Sequence, residues 1–274
     1  MFGRSLALSP QNYGPWAIVT GASSGIGRAC AEQLAARGFS LLLVARRRER
    51  LEAFGTELEA AYGVQAQAVP ADLSQSEEVF RVLRTSEALD VGLFVGAAGY
   101  GLSGEFVDGG LERELGMIDL NCRALAHMSH AYGRRFREQG RGGLILISSL
   151  VSFQGTPRSA NYAATKAYVQ SLAEALAHEL RPHGVQVLAC APGPVATEFG
   201  ERADMKLGRA LDPGRVAQET LDALGRRDVV RPGFMTKFLL ASLAFLPRSL
   251  RVRILGLVMK SMTAHQLRER PTSA

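Results

Sequence analysis

WAIVTGASSGIG, residues 16–27, is the stretch that decides the fold. Its first five residues are an apolar run rich in branched side chains, which reads as a strand. Glycines then fall at Gly21, Gly25 and Gly27 with Ser23, Ser24 and Ile26 between them, and a helical pattern runs from about Ser24 to Arg37. Gly38 stops it, where a glycine commonly adopts the left-handed cap. A strand that turns sharply through glycines into a helix is a phosphate cradle. One glycine lets the chain turn and another lets backbone approach a pyrophosphate. The helix start offers free N–H groups and a positive dipole end. A glycine-rich turn without a ligand is the bland alternative. Placement after the first strand and at a helix start favours the cradle.

Outward from this stretch, apolar runs alternate with helical patterns. LLLVA (41–45), QAQAV (65–69), VGLFV (91–95), GLILIS (143–148) and VQVLAC (185–190) supply further strands. Most runs are apolar at nearly every position, which suits strands buried on both faces. Strands alternating with helices imply a doubly wound parallel sheet of Rossmann type, expected to have seven strands, with right-handed crossovers. No repeat or linker marks a second folding unit. The expected division is an N-terminal extension over 1–14, one Rossmann-type domain over 15–233, and an amphipathic tail over 234–274 that packs on or beside it.

The end of the second strand speaks to the cofactor. In dinucleotide folds an acid there holds a ribose 2′-hydroxyl, whereas arginine accommodates a 2′-phosphate. The sequence VARRRERLE places Ala45 where the acid belongs, followed by Arg46, Arg47 and Arg48. Three cations at a helix N-terminus oppose its dipole, so a nearby anion makes sense of them. NADPH is expected over NADH.

Composition bounds the rest. The chain has 274 residues and a net charge of +6, with arginines scattered rather than clustered, which disfavours nucleic-acid binding. Cys30, Cys122 and Cys190 are odd in number and widely spaced, neither a disulfide framework nor a zinc pattern. His127 and His130 have no ligand partner at suitable spacing, so no metal is expected. The first residues lack the apolar run and cleavage site of a signal peptide, and a cytoplasmic setting is expected.

TGASSGIG (20–27), Ala71-Asp72-Leu73, Asn121, Ser148-Ser149, Tyr162-x-x-x-Lys166, and Pro192-Gly193 followed by Thr197 occur in this order. Together they make the sequence resemble the short-chain dehydrogenase/reductase family in its shorter, single-domain, NADP-linked form, from about Trp16 to Gly233. The resemblance implies reduction of a ketone or aldehyde, or the reverse alcohol oxidation. It implies that Tyr162 is the general acid or base, that Ser149 holds the substrate oxygen, and that Lys166 binds the nicotinamide ribose. Lys166 is also expected to lower the Tyr162 pKa through its charge. Asn121 is implied to hold a proton-relaying water. Ser148 is the competitor for Ser149, which lies thirteen residues before Tyr162, as the family's spacing has it. Asp72 and Leu73 are implied to contact adenine, Ala98 and Gly99 to lie against the cofactor, and Pro192, Gly193, Val195 and Thr197 to wrap the nicotinamide. One departure stands out. Gly96-Ala97-Ala98-Gly99 replaces the family's common Asn-Asn-Ala-Gly, removing amides that help tie the central strands.

The tail FMTKFLLASLAFLPRSLRVRILGLVMKSM (234–262) is open to three readings. Its apolar run FLLASLAFL is too short to span a bilayer and Pro247 follows it. A lid over an apolar substrate and a subunit contact are preferred to a membrane-surface helix. The substrate pocket is expected from 99–106, 150–158, 198–211 and the tail, and its apolar character suggests a 3-oxoacyl thioester or a steroid-like ketone. A non-catalytic NADP(H)-binding regulatory or scaffold protein is the alternative, and an epimerase or dehydratase a more distant one. A homodimer or homotetramer through the helices bearing Asn121 and Tyr162 is expected by family analogy.

Overall fold

A computed structural model describes residues 7–208 and 210–268. Seven parallel strands form one sheet in the order β3-β2-β1-β4-β5-β6-β7: β1 (Trp16–Thr20), β2 (Ser40–Ala45), β3 (Ala66–Pro70), β4 (Val91–Gly96), β5 (Gly142–Ile147), β6 (Val185–Cys190) and β7 (Val229–Val230). The expected doubly wound Rossmann-type sheet is present. The two-residue β7 has no apolar run of its own and is not readable from the sequence. It is defined by pairing with Ala189 and Cys190.

Helices cover both faces because successive strand residues point to opposite sides. On one face Ala17, Val19, Leu41 and Leu43 pack with Cys30 and Leu34 of α2 (Gly25–Ala35), and with Val216 and Leu221 of α9 (Pro213–Ala223). The side chain of Asp212 caps α9 by accepting from the Arg215 N–H at 2.9 Å, the N-cap and first-turn proline pattern. On the other face Ile18, Leu42 and Phe94 pack with Met128, Tyr132 and Phe136 of α6 (Leu125–Gln139), and with Val169 and Ala173 of α7 (Ala160–Leu180). The short α1 (Pro10–Tyr13) is docked, with Tyr13 buried and its hydroxyl donating to Gln186.

The direction of winding reverses between β1 and β4, which are neighbours in the sheet. Such a switch point leaves a crevice beyond the carboxyl ends of the strands. The glycine loop after β1 and the Ala97-Ala98-Gly99 segment after β4 both line a pocket there. The missing asparagines of that segment have a local substitute. Thr20 Oγ1 accepts from the N–H groups of Ala97 and Ala98, at 3.0 and 3.1 Å, and donates to Val95 O at 3.3 Å.

Three helices close the chain: α10 (Phe234–Ala244), α11 (Arg248–Met262) and α12 (Ala264–Arg268). Pro247 separates the first two, since its ring suits an N-cap better than a helix interior. No helix among the described residues is long and apolar enough to cross a membrane.

Candidate active site

The glycine loop is built for close approach. Gly21 has φ 69°, in the left-handed region, and leads the chain off β1. A Cβ at Gly27 would stand 2.5 Å from Gly21 O, so only glycine lets α2 start against this turn. Ser24 precedes α2 without capping it by its side chain. The first N–H groups of the helix are therefore left for an anion. Gly25 and Ile26 line the same cavity, and Thr197 reaches over Gly25 from the far wall. The residues fit a dinucleotide.

The arginines after β2 divide into two kinds. Arg47 donates to Glu198 at 2.8 Å and to Ser23 Oγ at 3.2 Å. Arg50 and Arg202 converge on the same Glu198 carboxylate, at 2.7 and 2.6 Å, and these guanidiniums hold it below the usual carboxylate range. Arg46 lines the pocket, is exposed and makes no ion pair among the described residues. Of the two arginines expected at a 2′-phosphate, Arg46 is the free one and Arg47 is already matched to a carboxylate. Glu198 was not singled out from the sequence, since it meets Arg47 across 151 residues of chain.

Asp72 and Leu73 line the cavity beyond β3. One Asp72 oxygen is used locally, accepting from Ser74 N and Oγ at 3.1 and 2.8 Å. Pro192, Gly193 and Val195 form part of the opposite wall. That segment is pinned by a short parallel bridge, with Ala196 N–H donating to Leu211 O at 2.8 Å and Leu211 N–H to Pro194 O at 2.8 Å. Thr197 Oγ1 accepts from Phe199 N–H at 3.2 Å and so opens α8 (Phe199–Arg202).

Tyr162 and Lys166 lie on α7, four residues apart and on one face. Lys166 is buried, and its Nζ donates to Ile147 O at 2.8 Å at the end of β5. The Tyr162 ring packs against Phe199, with centroids 5.3 Å apart, and Lys166 Nζ is 5.9 Å from its ring centre. The two serines after β5 part ways. Ser148 donates to Lys166 O at 3.0 Å, so it braces α7. Ser149 Oγ accepts from Val151 N–H at 3.4 Å and lines the cavity together with Tyr162.

Asn121 lies in a π-helical stretch, Asp119–Ala124, between α5 (Leu111–Ile118) and α6. Such widened turns recur at functional sites, and no residue pattern around Asn121 marks one. Asn121 Nδ2 donates to Tyr100 O at 2.9 Å and to Thr165 Oγ1 at 3.1 Å, and Oδ1 accepts from Tyr100 N–H at 3.1 Å. Thr165 Oγ1 in turn donates to Tyr162 O at 2.8 Å. Asn121 thus ties the chain after β4 to α7 between the tyrosine and the lysine. Both its amide hydrogens are used, and one Oδ1 lone pair remains.

Electrostatics depart from expectation at the tyrosine. Burial pushes the Tyr162 phenol up to about 12, and the polar Ser149 side chain only partly offsets it. Burial also brings Lys166 down to about 8. The expected lowering of the phenol by the Lys166 charge is not found. The ammonium is turned to a backbone carbonyl, and desolvation of the phenolate is the larger effect.

The substrate side of the cavity is apolar. Tyr100, Leu150, Val151, Phe199, Met205 and Leu207 line it from the expected segments, and Leu239, Ile254, Leu255, Val258, Met259 and Met262 from α10 and α11. The cavity holds about 350 Å³. Arg202 reaches it but is committed to Glu198.

A parallel switch-point sheet with a glycine cradle and a Ser–Tyr–Lys cluster defines a class, the Rossmann-type nicotinamide oxidoreductases. This chain belongs to the short chain dehydrogenase family, whose profile matches residues 15–207. It is 31% identical over 234 residues to a 7beta-hydroxysteroid dehydrogenase of Collinsella aerofaciens, covering 83% of this chain and 89% of that one. A solved structure from a study of 7beta-hydroxysteroid dehydrogenase stereoselectivity superposes with a TM-score of 0.84 at 29% identity, covering 90% of this chain and 98% of that one. A short-chain dehydrogenase from Sphingobium yanoikuyae in complex with NADPH superposes with a TM-score of 0.78 at 30% identity, covering 95% and 98%.

Proposed function

We propose that this protein is an NADPH-dependent reductase of a lipophilic ketone or aldehyde, or the dehydrogenase of the corresponding alcohol, with a steroid-like ketone or a 3-oxoacyl thioester as the substrate class. The observation that carries the reading is the meeting of Ser149, Tyr162 and Lys166 in a cavity whose substrate side is apolar. The 7beta-hydroxysteroid dehydrogenase relatives support the bulky-ketone half of it. The NADPH complex of the Sphingobium structure supports the cofactor.

When bound, the nicotinamide exchanges a hydride with the carbonyl carbon. Ser149 Oγ holds the carbonyl oxygen and stabilises the negative charge that develops there. Tyr162 Oη gives its proton to that oxygen in reduction and takes it back in oxidation. A phenol near 12 is the protonated acid at neutral pH, which suits reduction. Lys166 binds the ribose, and Asn121 holds α7 and the chain at Tyr100 in register, with its remaining Oδ1 lone pair available to a relay water. Arg46 takes the 2′-phosphate, with Arg47 and Ser23 beside it. Gly21, Ser24, Gly25, Ile26 and Gly27 cradle the pyrophosphate. Asp72 and Leu73 border the adenosine side, Ala98 and Gly99 lie against the cofactor, and Pro192, Gly193, Val195 and Thr197 border the nicotinamide.

Residues 15–233 form the catalytic unit in this reading and 234–274 a tail that completes the substrate wall. Exposed Leu111, Leu115 and Ile118 on α5 and Tyr168 on α7 support a homodimer or homotetramer through these helices. The proposed setting is cytoplasmic, with peripheral membrane contact through 234–262. The test is a panel of steroid ketones, 3-oxoacyl thioesters and small ketones with NADPH and NADH. Consumption of NADPH with bulky apolar ketones is expected. Tight NADPH binding without turnover on any member would favour the scaffold alternative.

A further inference from the structure

The charge of the chain is unevenly placed. Residues 234–268 carry Lys237, Arg248, Arg251, Arg253, Lys260 and Arg268 without a single Asp or Glu. The whole chain has a net charge of +6, so elsewhere positive and negative side chains cancel. Arg248, Arg253 and Lys260 are exposed and make no ion pair among the described residues.

The same segment exposes large apolar side chains. Phe234 and Phe238, one turn apart on α10, are 75% and 59% exposed with their rings stacked, and Phe245 is 91% exposed. Met235 and Leu257 are exposed as well. This surface continues into the substrate cavity, because Leu239 and Val258 are part of the cavity wall and are still exposed. An aromatic surface ringed by unmatched cations has the chemistry of a lipid interface.

We propose that α10 and α11 seat the protein on an anionic membrane surface with the mouth of the substrate cavity turned to the bilayer. The lipophilic carbonyl then enters from the lipid, past Leu239 and Val258, rather than from water. The inference rests on the reading of the cavity as a site for an apolar substrate. A second copy of the chain suits this face less well. A two-fold contact would bury Arg248, Arg253 and Lys260 against like charges with no acid in the segment, whereas lipid phosphates neutralise them.

The test is co-sedimentation of the full chain with phosphatidylcholine vesicles, with and without phosphatidylglycerol. Binding is expected only with phosphatidylglycerol and is expected to weaken as salt screens the charges. Two double variants leave the cavity wall untouched: Arg248→Glu with Arg253→Glu, and Phe238→Ser with Phe245→Ser. Each should lower vesicle affinity by about tenfold or more, since one basic side chain near an anionic surface is worth roughly fivefold. NADPH binding should persist in both, which reports an intact fold. Turnover of a water-soluble ketone should persist too, while turnover of a ketone dissolved in vesicles falls. Failure of the wild type to bind phosphatidylglycerol vesicles at low salt would overturn the proposal. So would variants that bind as well as wild type, or that change oligomer size and leave vesicle binding unchanged. Turnover of the soluble ketone is read separately, so loss of the docking result leaves the reductase reading standing, and the reverse.

Discussion

Helices α7 and α11 wall the same cavity and are built on opposite terms. On α7, Lys166 Nζ is held by Ile147 O, Lys166 O by Ser148, and Thr165 by Asn121, so the polar groups next to Tyr162 have fixed partners. On α11 the wall is Ile254, Leu255, Val258, Met259 and Met262, with Leu255 and Met259 buried and Leu257 fully outside. Polar anchoring of the tail lies at both ends: Lys237 Nζ pairs with Glu219 at 3.3 Å, and the half-buried arm of Arg158 donates to Thr263 Oγ1 at 2.6 Å and Gln266 Oε1 at 2.9 Å. Directional hydrogen bonds fix a reacting geometry. Leucine and methionine fit a range of shapes. In the proposed function, the reaction type resides in the helix braced by the sheet and substrate choice in the appended one.

The comparison breaks if damage to α7 spares chemistry. Lys166→Met should cut turnover by about a hundredfold or more. It should also change stability in a signed way. The folded pKa of about 8 lies below the ordinary 10.5 of lysine, so between those values the unfolded chain binds a proton that the folded one has lost. Stability should therefore rise with pH across that window in the wild type, and the rise should vanish in the variant, read by denaturant titration at several pH values.

Arg46→Asp sharpens the account of the cofactor side. Loss of a charge-assisted contact should move preference away from NADPH by roughly 10- to 100-fold, measured as the ratio of NADPH to NADH affinity. Equal affinities in the wild type would refute that assignment. Leu255→Ala should act on the tail side alone. We expect kcat/KM for a bulky ketone to fall by about tenfold, since roughly 1.5–3 kcal/mol attends a fully buried leucine. A small ketone should be little affected. The smallest effect belongs to Thr20→Val, which strips one acceptor from the Ala97 and Ala98 N–H groups. Unmet donors at about 1–3 kcal/mol each should lower the melting temperature by several degrees with chemistry unchanged.

Much of this was legible in the chain, and for identifiable reasons. Five strands, β1, β2, β4, β5 and β6, are runs of mostly buried apolar residues, and a local pattern reports burial on both faces. The glycine loop is local too, as is the four-residue spacing of Tyr162 and Lys166. What escaped depends on distance in sequence. Glu198 gathers Arg47 and Arg50, 151 and 148 residues away, only after folding. Thr20 replaces absent asparagines across 77 residues. β7 exists through its neighbour β6, and the π-turn at Asn121 has no motif. The tyrosine pKa was misjudged because spacing reveals a neighbouring charge but not the burial that outweighs it.

Proton donation by Tyr162 in a carbonyl reduction is tested by NADPH oxidation by the wild type and Tyr162→Phe on the best bulky ketone, with NADPH binding measured on both. The account predicts unchanged NADPH affinity and a loss of turnover of about a hundredfold or more. A variant that retains more than about a tenth of wild-type turnover, far above what loss of an acid catalyst leaves, would contradict it.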